Sequence, residues 1–260
     1  MAKRVCGALA IASLLSACSA ASLSSGLEPT AQNAGAPLTT ASVQPKRAPF
    51  DPFKQDTGSS YQPREVIKNP TLAQVLQKGP LPEYALGRTD APVTVIKYVS
   101  LTCPFCRRFQ KTVFPPFKRA YIDTGKVRFI MREFPIGRQS GTATIAWRCA
   151  PKRHYFKLYD AFLFSQPRWV SQEVRTGPIL KVAARYGLTA AAYNACLKDQ
   201  RLVAGLKAVK QRGRLLGVIG TPNFFINNKL VKRVLTLDGL RAHIDPLLQG
   251  AAAARNASAR

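Results

Sequence analysis

Val93-Thr94-Val95-Ile96-Lys97-Tyr98-Val99-Ser100-Leu101-Thr102-Cys103-Pro104-Phe105-Cys106 is the stretch on which the fold turns. Its first part, from Ala91 to Val99, is β-branched and mostly apolar, which predicts a strand buried on both faces. The strand ends at Ser100-Leu101-Thr102. Apolar residues then recur at helical spacing, at Phe109, Val113, Phe117 and Tyr121. Pro104 suits the first turn of that helix, because its missing N–H would have had no partner there. Two cysteines, two residues apart, therefore stand at a strand-to-helix junction. A helix N-terminus turns unpaired N–H groups and the positive end of its dipole toward the first thiol and favours its anion. Cys106 lies one turn further on, within reach of a small disulfide. Cys103 is thus expected to be the exposed attacking sulfur and Cys106 the buried resolving one. Arg107 and Arg108 are placed to add positive potential if they face the thiolate.

Downstream, Pro115-Pro116 should kink or break the helix midway and Thr124-Gly125 should end it. Val127 to Phe134 reads as a second strand. Residues 139–213 carry helical patterns throughout, with apolar stripes at Ile145, Cys149, Phe156, Tyr159 and Leu163, then at Ile179, Val182, Ala183 and Tyr186. Gly217 to Pro222 leads into the strand Asn223-Phe224-Phe225-Ile226. Asn227-Asn228 supports a hairpin turn, Leu230 to Leu235 returns, and Thr236 caps a last helix through Leu248. The order is β-α-β, an all-helical block, then β-β-α, an α/β arrangement. The folded unit is expected over 84–248, with 65–83 as an N-terminal extension and 249–260 as a disordered tail.

Upstream, Lys3 and Arg4 precede an apolar run from Val5 to Leu15, then Leu15-Ser16-Ala17-Cys18. That is the form of a secretory signal peptide. The four residues ending at Cys18 also look like a bacterial lipoprotein signal, in which Cys18 is lipidated; plain cleavage nearby is the alternative. Either way the chain leaves the cytoplasm, disulfides become permissible, and the periplasm is the expected compartment. Residues 19–64, rich in Ala, Ser, Thr, Pro and Gly, read as a flexible linker to the membrane. No stretch reaches the ~18 apolar residues of a membrane span.

Among 260 residues, 39 Lys and Arg stand against 13 Asp and Glu, a net charge of +26. Such a field attracts anionic polymers or lipid headgroups. The basic residues are scattered, however, and no zinc-finger spacing, aromatic-rich basic strand or zipper accompanies them. A solvated surface that prefers an anionic membrane or envelope polymer is expected, and no specific nucleic-acid binding.

In an oxidising compartment the Cys103–Cys106 spacing reads as a redox motif. Half of a zinc site is the competitor, but no second such pair exists. His154 and His243 are distant and read as surface or packing residues. No metal or cofactor is expected.

The chain resembles the DsbA-like, thioredoxin-fold thiol oxidoreductases of bacterial envelopes. The matching pieces are Ala91 to Val95, Ser100 to Cys106, Arg132-Glu133-Phe134-Pro135, and Gly217 to Ile226. The resemblance implies a thioredoxin-like core with an all-helical insertion, here about 139–213. It also implies a cis-proline facing the active-site disulfide. On this chain that residue is Pro222, preceded by Thr221, and the pair would present backbone to a bound extended peptide; an ordinary trans proline opening the strand is the alternative. The strongly oxidising members carry His at the position of Phe105 within the Pro104-Phe105 dipeptide. Phe105 offers neither charge nor hydrogen bond, so a less depressed Cys103 and a potential lower by roughly 20–40 mV are expected. Cys149 and Cys196 are expected to form a structural disulfide, as in some relatives, two separate buried thiols being the alternative.

These readings point to a periplasmic thiol-disulfide oxidoreductase that passes a disulfide to cysteine-containing envelope proteins. By family analogy it would be reoxidised by a quinone-linked membrane oxidase. It is expected to be a monomer, since 19–64 is too low in complexity for a dimerisation domain. The rivals are an isomerase or reductase of the same fold, and a non-catalytic lipid-anchored peptide-binding protein.

Overall fold

The computed structural model describes residues 65–258. Cys18, the signal segment and the whole of the proposed linker 19–64 lie outside the described residues. The chain enters through a short helix α1 (Leu72–Leu76), capped at Thr71 by reciprocal hydrogen bonds with Gln74. It continues into β1 (Tyr84–Leu86) and β2 (Val93–Val99). Next come α2 (Pro104–Thr112), α3 (Phe114–Phe117), a wide turn at Lys118–Ile122 and β3 (Val127–Glu133). The helical block comprises α4 (Gly137–Cys149), α5 (Tyr155–Phe164), α6 (Gln166–Trp169), α7 (Thr176–Ala184), α8 (Ala190–Lys198) and α9 (Gln200–Leu215). The hairpin β4 (Asn223–Ile226) and β5 (Lys229–Val231) follows, then α10 (Leu237–Ser258).

The five strands form one sheet in the order β1-β3-β2-β4-β5, with β2 and β3 parallel and every other pair antiparallel. Alternation along β2 explains why the strand had to be apolar on both faces. Val93, Val95 and Val99 face α2, the helical block and α10, while Ile96 and Tyr98 face a second core with Val75, Ile130, Leu216, Val218 and Phe225. The redox segment belongs to the first face.

Two expectations are corrected. The folded unit begins well before Tyr84: Val75 is fully buried in the second core, the Ile67 amide donates to the Leu215 carbonyl, and Arg132 donates to the carbonyls of Val75 and Gln77. The break expected midway at Pro115-Pro116 is present: α2 ends at Thr112 with Val113 as its cap, and Pro115 is accommodated in the first turn of α3. The tail expected to be disordered from 249 onward continues α10 to Ser258. Alanine is the best helix former, so Ala251 to Ala254 extends a helix already nucleated by packing at Leu240 and Ile244.

Candidate active site

Cys103 is the N-cap of α2: its backbone is extended, and its Sγ accepts the Cys106 amide at 3.2 Å. The carboxamide of Gln166, at the start of α6, donates to the carbonyls of Leu101 and Cys103 at 2.7 and 3.1 Å, pinning the loop that delivers the cap. From the opposite side the Thr221 carbonyl accepts from Cys103 Sγ at 3.1 Å, and the Thr221–Pro222 peptide is cis. The structure thus brings Cys103, Cys106, Thr221 and Pro222 together, with 118 residues between the two halves. Both sulfurs are free thiols here.

Cys103 is less open than expected, at 9% exposed, because the Thr221 loop covers it; Cys106 has no exposure at all. The asymmetry between the two sulfurs holds, and solvent reaches the pair through Cys103. Two apolar side chains on the segments that carry the site are exposed, Phe105 between the cysteines at 54% and Ile219 two residues before Thr221 at 77%.

The two thiols are driven apart electrostatically. Cys103 is pulled down to about 6, first by the Cys106 side chain, then, against its own burial, by the Thr221 side chain and the backbone of Cys106 and Phe105. Arg107 and Arg108 are not among these causes. The dipeptide therefore acts through the Phe105 backbone, its ring pointing to solvent. Burial pushes Cys106 well up, reinforced by the neighbouring Cys103. A low first thiol and a high second one suit a sulfur that attacks and leaves easily beside one that must be helped to ionise.

Cys149, ending α4, and Cys196, in α8, form a disulfide with Cα atoms 6.4 Å apart. Neither histidine reaches the site: His154 sits edge-on to the Tyr186 ring, and His243 lies on α10 with its imidazole lowered by burial and by Lys229 and Arg233.

Sequence reasoning missed a polar cluster directly beneath the thiols. Lys97 is fully buried, its ammonium donating to Gln110 Oε1 and to the Tyr159 hydroxyl, each at 3.3 Å, and lying 4.2 Å from the centre of the Phe109 ring. The signal was present: one lysine inside an otherwise apolar strand.

Residues 81–246 match the family model described as Thioredoxin. The chain belongs to the thioredoxin family. Within that family it is similar to Wolbachia pipientis alpha-DsbA1, whose crystal structure superposes with a TM-score of 0.63 at 30% identity, covering 70% of this chain and 98% of that one. Bacillus subtilis BdbD in its oxidised form shares the fold, with a TM-score of 0.59 at 21% identity over 71% of this chain and 98% of that one. A Rickettsia bellii protein provisionally named protein-disulfide oxidoreductase is 30% identical over 64% of this chain and 65% of its own length. The chain spans 59–65% of the length of the first curated relatives it matches. The thioredoxin-like α/β fold with a helical insertion is thus established, of the DsbA type. Among the described residues no helix is long and apolar enough to cross a membrane.

Proposed function

We propose that the chain is an envelope thiol-disulfide oxidoreductase of the DsbA type, with Cys103 and Cys106 as the reacting pair. Thr221 and Pro222 receive the substrate peptide, and Pro104-Phe105 is the dipeptide that shapes the cap. The observation that carries this reading is the paired thiols themselves. One sits at a helix N-cap, lowered to about 6 and touching the Thr221 carbonyl, and the other is sealed beneath it with its thiol raised.

In the oxidised protein a substrate thiolate attacks Cys103, the sulfur with solvent access, and Cys106 leaves. The mixed disulfide at Cys103 is then broken by the substrate's second thiolate, which takes the disulfide away and releases Cys103 as a stabilised anion. Two electrons pass from substrate to protein. Because the low pKa of Cys103 stabilises the reduced form, the pair favours giving its disulfide away.

The sequence at 1–18 supports export, lipidation at Cys18 and a periplasmic position at a membrane surface. Cysteine-containing envelope proteins are the proposed substrates, a quinone-linked membrane oxidase the proposed source of oxidising equivalents, and the net charge of +26 favours an anionic surface. The test is oxidative refolding of a reduced substrate protein, with the Cys103–Cys106 potential measured by redox titration. Turnover abolished by Cys103→Ser, with a potential toward about −120 mV, is the expected result; a value near about −270 mV assigns a reductant instead. Absence of turnover, indifferent to Cys103→Ser, overturns the enzyme reading.

A further inference from the structure

We propose that the cleft lined jointly by α5, α6 and α7 is a docking surface for an anionic phospholipid bilayer. Arg168, Lys181 and Arg185 take the lipid phosphates there, and Phe164 enters the boundary between headgroups and acyl chains. The proposal deepens the envelope reading above, since it names the face on which the domain meets a membrane. It does not depend on the cysteine chemistry.

Two recesses adjoin on this face and share Ser165, Arg168, Val182 and Arg185. The larger, of about 870 Å³, is also lined by Lys181, and the smaller, of about 500 Å³, by Phe164. All three cations are exposed, and among the described residues none is paired with a carboxylate. Lys181 and Arg185 stand four residues apart at the end of α7, hence on one face, where like charges repel. An anion that meets them removes that repulsion. Helices α5, α6 and α7 carry one acidic residue between them, Asp160, and it lines neither recess. Glu173, in the link from α6 to α7, lines a separate recess with Ile136 and Arg138.

The surface suits a bilayer better than a free anion. Phe164, the last residue of α5, is 51% exposed. A lone exposed apolar side chain says little, but this one lines the same recess as Arg168 and Arg185. A free phosphate would use the cations and leave the ring in water. A bilayer uses both, since guanidinium groups match phosphate oxygens bidentately and an aromatic ring beside them enters the interface. The counterpart must also be extended, because the net charge of +26 is carried by many scattered cations and one small ion meets only a few of them. The sequence ahead of the described residues leads the same way: 1–18 reads as an export and lipidation signal, and 19–64 as a tether that keeps the domain within reach of a membrane. Gln166, two residues before Arg168 on α6, donates to the Cys103 carbonyl at 3.1 Å. Docking through Arg168 therefore keeps the cysteine loop close to the bilayer.

The test is co-sedimentation of the full chain with vesicles of phosphatidylcholine alone or of equal parts phosphatidylcholine and phosphatidylglycerol, at constant ionic strength. All proteins carry Cys18→Ser, so that no acyl chain at that position contributes, and the phosphatidylcholine arm measures what residues 1–64 bind by themselves. Binding to the mixed vesicles should exceed that baseline. Arg168→Gln/Lys181→Gln/Arg185→Gln should weaken the excess by about a hundredfold. The equally discharged Arg201→Gln/Lys207→Gln/Arg233→Gln, exposed and outside both recesses, should weaken it only severalfold. Phe164→Trp should shift its emission to the blue on the mixed vesicles, Trp147 and Trp169 being buried already. Equal losses in the two triple variants assign the binding to the field of the whole protein and overturn the proposal. So does displacement from the vesicles by inorganic phosphate, which makes the cleft a site for a soluble anion, or tighter binding of a polyglutamate peptide than of the vesicles, which makes it a site for an acidic protein. Oxidative refolding without vesicles should be the same in every variant; if the cleft triple loses it through misfolding, Phe164→Trp decides, and unshifted emission overturns the proposal. A wild type that docks as described but shows no turnover overturns the redox reading and leaves this one standing.

Discussion

Cys103 Sγ lies 3.1 Å from the carbonyl oxygen of Thr221, so the helix cap and the loop before β4 meet at one sulfur. The Thr221 hydroxyl is buried and contributes to lowering that sulfur, after the Cys106 side chain and against the opposing effect of burial. Alkylation of the reduced protein should titrate with a midpoint near 6. Thr221→Val removes the hydroxyl, which has no hydrogen-bond partner, and keeps the carbonyl that Cys103 meets, so the midpoint should move up by roughly half to one pH unit. An unmoved midpoint removes Thr221 from the electrostatics of the thiol.

The same depressed thiol makes stability depend on redox state and pH. A folded-state pKa below the unfolded one stabilises the fold fully above the unfolded value of 9.0, and the gain is lost as pH falls through about 6. The disulfide has no such group. Melting temperatures of the reduced protein should therefore gain on those of the oxidised protein as pH rises from 5 to 8. Parallel curves contradict the assignment.

Lys97 carries the opposite sign. A buried amine held at about 8 instead of 10.5 costs the fold about 3 kcal/mol at neutral pH. The cost is complete below about pH 8 and is relieved as pH climbs toward 10.5. Lys97→Met should therefore be more stable than wild type by about 1–2 kcal/mol at pH 7, once the unpaired Gln110 and Tyr159 are discounted. The gap should narrow at pH 10. Urea unfolding at both pH values decides; a variant less stable at pH 7 refutes the cost.

Which parts of this site could be read from residues alone follows from how local each cause is. Cys103, Pro104 and Cys106 were legible because a strand, a cap and a helix start are written in consecutive residues, and the hairpin at Asn227, with φ of 49°, for the same reason. Thr221 and Pro222 came from the family resemblance, since nothing local says that they face a sulfur 118 residues away. Lys97 stayed hidden inside a strand whose apolar pattern dominated its reading. Gln166 and Tyr159 acquire their roles only when the helical block folds over α2. Residues 65–83 have few apolar anchors, and their docking depends on Arg132, far along the chain.

The disulfide Cys149–Cys196 joins the end of α4 to α8 within the helical block. Closing its loop, with a sequence separation of 47, restricts the unfolded chain and should stabilise by about 4 kcal/mol. The double variant Cys149→Ala/Cys196→Ala should lose up to that amount in denaturant unfolding while Cys103 keeps its alkylation midpoint. A shifted midpoint instead makes this bridge part of the redox machinery.

Arg132 ties the N-terminal extension to the sheet. Its guanidinium is buried and donates to the carbonyls of Val75 and Gln77 and to the Glu83 carboxylate, the last at 2.8 Å. Arg132→Met leaves Glu83 and both carbonyls without their donor, a loss of about 3–5 kcal/mol for a broken buried pair. Since the second core lies across the sheet from the thiols, the damage should be local. Hydrogen exchange should rise over 67–86, and the pH midpoint of Cys103 alkylation should stay where it was. If exchange in α2 rises equally, the two faces of the sheet unfold as one unit and the extension is integral to the domain core.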